Sequence, residues 1–144
     1  MFTKLFSALS APHIAPAAQG GQLALAALLV RLARADGTYA PEETARIDKI
    51  LCQRYELSPF ECVRLRTEAE AIEAASPDTV RFTRALKEAV PHEDRMEIMQ
   101  ALWSVALVDA DRNPDEDALI RLAANLLGIT DRDSALARQK VQHP

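Results

Sequence analysis

Two matched pairs of carboxylates stand out, Asp36 with Glu43 and Asp109 with Glu116. Hard cations such as Ca²⁺ and Mg²⁺ take oxygen donors of this kind, so these four residues are the candidate metal ligands. Asp111 and Asp115, in the second segment, are secondary candidates. A structural reading stands beside the metal reading. Aspartate before glycine, as in Asp36-Gly37, commonly makes an Asx-turn. Glu42, Glu43, Asp115 and Glu116 sit where a helix start favours negative charge. Asp109-Ala-Asp111-Arg-Asn113 imitates the start of an EF-hand, but Pro114 replaces the glycine at position 6 and Ile120 the glutamate at position 12. An EF-hand is therefore not expected.

Other chemistry is sparse. His13, His92 and His143 are isolated, and no G-x-S-x-G, P-loop or H-E-x-x-H occurs. The chain is read as a non-enzyme. His92 falls at a predicted surface position after Pro91. Cys52 and Cys62 form no C-x-x-C pair and read as small buried or half-buried hydrophobes, pointing to a reducing, cytoplasmic setting.

The elements that carry these residues are helical. Leu23 to Ala35 is apolar nearly all round and predicts a buried central helix. Pro41 opens a second helix with Ile47, Ile50 and Leu51 as its apolar stripe. Ser58-Pro-Phe-Glu61 has capping-box spacing and starts a third helix running to about Ala75. A fourth, from about Asp78 to Val90, turns Val80, Phe82, Leu86 and Ala89 inward. The fifth combines Met96, Met99, Trp103 and Ala106 with Ile98, Leu102 and Val105, and reads as core. Asn113-Pro114 caps and opens a sixth helix that Gly128 closes, and Thr130 starts a short polar one. No segment alternates long enough for a strand, so the class is all-α. Arg31, Arg34, Arg46, Lys49 and Arg54 read as a solvated face of the first two helices. Residues 1–19 read as a tail or short helix leading to one domain over 20–144; no continuous apolar run marks a signal peptide.

The buried helices end alike. Ala33…Asp36…Pro41-Glu42-Glu43 repeats as Ala106…Asp109…Pro114-Asp115-Glu116 at a constant offset of 73 (36 to 109, 43 to 116), and Ile47 continues as Ile120. Leu57-Ser58 matches Ile129-Thr130 after a slip of one residue. The chain thus contains two pseudo-repeated helix–loop–helix units.

Composition limits what such a chain does. It has 144 residues, 49% hydrophobic and 26% charged, with a net charge of −4. That is one ordinary domain without the basic face a nucleic-acid binder needs. The longest apolar stretch, residues 23–30, is too short to span a membrane.

The doubled Ala-x-x-Asp-Gly or Ala-x-x-Asp-Ala helix end running on to Pro-x-Glu, with the Leu/Ile-Ser/Thr entry to each following helix, resembles the TerB-like tellurite-resistance domains over residues 21–133. The resemblance implies one compact bundle of about seven helices. It also implies an accessory cytoplasmic protein of tellurite and stress resistance, working with protein partners near a membrane-associated complex. By the same resemblance, Asp36, Glu43, Asp109 and Glu116 are candidate metal ligands. One departure is Ala110, which stands where the family usually has glycine and so implies a differently shaped second loop.

The expected function is a non-catalytic module binding protein, and Ca or Mg, through the two acidic loops. The alternatives are a metal-dependent hydrolase and a purely structural helical homo-oligomer.

Overall fold

The computed structural model describes residues 16–109 and 113–144. Asp111 and Ala110 lie outside the described residues. Seven α-helices and no strand occur among those described: α1 Pro16–Arg34, α2 Pro41–Tyr55, α3 Pro59–Ala75, α4 Val80–Ala89, α5 Arg95–Ala106, α6 Pro114–Leu126 and α7 Asp131–Gln142. A short 3₁₀ turn, His92–Asp94, leads into α5. No described helix is long and apolar enough to cross a membrane.

The helix starts are built by the residues expected to build them. Ser58 Oγ accepts from the Glu61 amide at 3.2 Å, and Glu61 reaches back to the Ser58 amide at 2.9 Å. Asn113 Oδ1 accepts from the Asp115 and Glu116 amides, and Thr130 Oγ1 from the Asp133 amide. These bonds satisfy donors that the first helical turn leaves without partners. Gly128 ends α6 at φ +74°, a left-handed conformation that suits glycine.

The core forms around α1, whose residues 25–30, Leu32 and Ala33 are fully buried. Helices α2 to α6 all pack on it, and α7 packs chiefly on α5. Ile98, Met99, Leu102, Val105 and Trp103 make α5 the second buried helix. The two units also cross-pack, because α1 meets α5 and α6 while α2 meets α5.

Four details differ from the reading of the sequence. First, α1 begins at Pro16, so Gly20 and Gly21 lie inside a helix. Gly21 serves close packing there: a Cβ on it would stand 2.6 Å from the Ala89 Cβ of α4. Second, the inward face of α4 is Phe82, Thr83 and Leu86, while Val80 is largely exposed. Val80 is the first residue of the helix and falls off the stripe that Phe82 and Leu86 define. Thr83 is accepted inside because its hydroxyl donates to the Val80 carbonyl at 3.0 Å.

Third, Cys52 and Cys62 are joined in a disulfide rather than acting as separate hydrophobes. The chain reverses between α2 and α3, with Glu56 at φ +52°, and this brings the two Cα atoms to 5.7 Å. Fourth, the four arginines of the supposed solvated basic face are tied down, while Lys49 is exposed. Arg31 and Arg34 both pair with Glu73 of α3, at 3.0 and 2.6 Å, and Arg31 also donates to the Ser76 carbonyl. Arg54 pairs with Glu97, and Arg46 donates to Ser104. Their aliphatic stems cover apolar surface while the guanidiniums link helices.

Candidate functional site

Each acidic loop follows one of the two buried helices. The helices α1 and α5 pack together, and Asp36 and Asp109, which follow them, both lie near enough for their charges to act on Glu43 and Glu116. In the first loop, Asp36 Oδ1 accepts from the Thr38 amide at 2.8 Å, an Asx-turn closed through Gly37 at φ +83°. Glu43, in the first turn of α2, reaches back to the Ala40 amide at 2.9 Å. The structural reading of these two acids is therefore correct as far as it goes: both cap local backbone.

The second unit is built differently. Asn113 gives α6 a side-chain cap, which Ala40 at the start of α2 cannot supply. Glu116 is only 4% exposed. Glu43 is buried to a similar degree, at 5%. Asp36 is half-buried, whereas Asp109 and Asp115 are exposed.

Electrostatics ties the units together. Burial raises the Glu43 carboxyl above its ordinary range, and the charges of Asp36 and Asp109 raise it further against the opposing Ala40 hydrogen bond. Glu116 is pushed up to about 7, first by burial and then by Asp36, Glu43, Asp109 and Asp117. Acids from both repeats thus act on one another across the junction. Asp36, Glu43, Asp109 and Glu116 are brought together, and Asp117, not anticipated, joins them. Its signal lay one residue past Glu116, in the acidic first turn of α6. Asp115 does not figure among the charges that act on Glu43 or Glu116.

All of these donors are carboxylate oxygens, the type a hard divalent cation takes. Among the described residues, no three His, Cys, Asp or Glu side chains are gathered tightly enough to hold an ion as they stand. The carboxylates share a field without being closed into a coordination shell.

Beside the junction lies a cavity of about 410 Å³ between α2, α5, α6 and α7. Asp109, Glu116 and Asp117 line it together with Arg46 and Arg138. Trp103 supplies an apolar wall, with the Arg138 guanidinium 5.1 Å from its ring centroid and its indole N–H donating to Ser134 Oγ at 3.1 Å. His92 is exposed on the 3₁₀ turn, with Nε2 3.1 Å from the Gly128 carbonyl oxygen.

Comparison with known proteins adds one finding. The family model described as tellurite resistance protein TerB matches residues 22–139, most of the chain and both repeats. No curated protein and no solved structure matches it.

Proposed function

The chain belongs to the TerB family of tellurite-resistance proteins, and from that premise we propose that it is a non-catalytic binding module whose acidic junction takes a divalent cation, Ca²⁺ or Mg²⁺. The observation that carries this reading is the Glu116 side chain, only 4% exposed and under the charge of four other acids. A cluster of that kind is relieved either by protonation or by a cation. Binding requires the side chains to close on the ion. The exposed Asp109 and half-buried Asp36 have room to do so, while Glu43 and Glu116 are fixed by burial. In the cell, the module acts as an accessory of tellurite resistance, and the charged junction presents the ion, or itself, to a protein partner.

Thermal melting in EDTA and with added Ca²⁺ or Mg²⁺ tests this. A ligand that binds only the folded chain raises its stability by about 2.7 kcal/mol at a hundredfold excess over Kd. The melting temperature should rise with either ion, and Asp36→Asn with Glu43→Gln should remove the rise. An unchanged melting temperature at millimolar concentrations of both ions would overturn the cation reading.

A further inference from the structure

The Cys52–Cys62 bond joins two helices that other contacts already hold together. Asp48 of α2 pairs with Arg66 of α3 at 2.6 Å, and Leu51 and Ala69 carry the two helices into the core. The turn between them is closed by its own groups. The Leu57 amide donates to the Cys52 carbonyl at 3.2 Å, and Ser58 and Glu61 cap α3 reciprocally. Cys62 is fully buried yet stands outside the cluster of side chains that forms the core, so the bond lies at the periphery of the bundle. Breaking it leaves these helix contacts in place.

The two sulfurs are unlike. Cys52 is half-buried in the last turn of α2, whereas Cys62 is buried in the first turn of α3. The partial negative charge at a helix C-terminus disfavours a thiolate, and the positive charge at an N-terminus favours one. An incoming thiolate therefore reaches the bond at the Cys52 sulfur, and the electron pair of the broken S–S bond leaves on the Cys62 sulfur. Exposure and helix polarity select the same direction.

We propose that Cys52–Cys62 is a reversible redox modification site, exchanging with low-molecular-weight thiols and disulfides of the glutathione type while the bundle stays folded. In the first step a glutathione thiolate attacks Cys52 Sγ and forms a mixed disulfide there. Cys62 leaves as a thiolate and takes up the proton that glutathione gave up. A second glutathione thiolate attacks the glutathione sulfur of the mixed disulfide, which frees Cys52 and yields glutathione disulfide. The protein bond has then gained two electrons and two protons, and two glutathiones have lost them. In reverse, glutathione disulfide modifies Cys52, and the Cys62 thiolate expels the adduct and closes the bond. Opening unties the first turn of α3 from α2, the turn that carries the exposed Phe60.

Equilibration of the full chain in buffers of glutathione and glutathione disulfide tests this, with free thiols blocked by iodoacetamide and counted by mass spectrometry. The chain should pass from no blocked cysteine to both as the share of glutathione rises, with its helical circular dichroism unchanged. Hydrogen exchange should quicken only at the end of α2 and the first turn of α3. With glutathione disulfide, Cys62→Ser should form the adduct at Cys52 several-fold faster than Cys52→Ser forms it at Cys62. Circular dichroism checks that both variants are folded, and the equilibration of the parent chain stands without them. A bond that resists every glutathione ratio, thiols that glutathione disulfide never joins, opening only with loss of the helical signal, or a faster adduct at Cys62 would overturn the proposal. None of these outcomes bears on the cation reading.

Discussion

Glu116→Gln should stabilise the protein, and only above the pH at which Glu116 loses its proton. The side chain is buried at the meeting of two acidic loops, and its carboxyl is held at about 7 against an ordinary 4.5. A raised folded-state value means that the folded chain keeps the proton longer than the unfolded one. The stabilising contribution is then complete below about pH 4.5 and is lost as pH rises through about 7. The gap between the two values corresponds to about 3 kcal/mol at pH 8, since each tenfold change in proton affinity is worth about 1.4 kcal/mol. Glutamine imitates the protonated acid in shape and charge. In EDTA the variant should match the parent near pH 5 and exceed it by about 3 kcal/mol at pH 8, or roughly 10 °C in melting temperature. Urea unfolding at the two pH values measures the difference, and the pH 5 experiment controls for any packing change. Equal effects at both pH values, or a loss of stability at pH 8, would refute the claim that the two loops share one electrostatic site.

Other expectations follow from the packing. Gly21→Ala should cost about 1–2 kcal/mol in urea unfolding, because the clash with Ala89 outweighs the better helix propensity of alanine. Glu73→Ala should cost about 3 kcal/mol, since it strands both Arg31 and Arg34 against a largely buried surface; Glu73→Gln, which keeps the shape, should cost less. Reducing the Cys52–Cys62 bond should lower stability by about 2–3 kcal/mol from the loop it closes, with mass spectrometry reporting the redox state alongside the melt.

Much of the fold was legible because its signals are local. Ser58, Asn113 and Thr130 cap the helices they precede, and the apolar stretches of α1 and α5 are the buried helices. The duplicated Asp…Pro-x-Glu segments were visible as a pattern. That they would meet was not, because it depends on α1 and α5 packing side by side rather than at opposite ends of the bundle. The same limit explains the arginines: Glu73 is 42 residues from Arg31, and no local spacing links them. The cysteine pair depends on the sharp reversal at Glu56, a non-glycine residue in a left-handed conformation that nothing in its type announces. Thr83 rather than Val80 turns inward because helical phase places it beside Phe82 and Leu86, whatever the hydrophobicity of the two side chains.

Within the site, the repeat suggested equivalence where the structure shows a division of labour. Glu43 accepts from the amide that precedes α2 and shares the junction, while at the start of α6 the side-chain cap is Asn113. The two halves are alike in sequence pattern and unlike in chemistry. Asp117, Arg46 and Arg138 became visible as site residues only once α2, α6 and α7 were assembled around one cavity.

The most direct test of the account is calorimetric titration of the full chain with Ca²⁺ and Mg²⁺ at pH 7.5, repeated on Glu116→Gln. Binding should be saturable and accompanied by proton release, visible as a dependence of the heat on the buffer's ionisation enthalpy. Glu116→Gln should lose both the affinity and the released proton. Binding without proton release and unchanged in Glu116→Gln, or no binding of either ion, would contradict it.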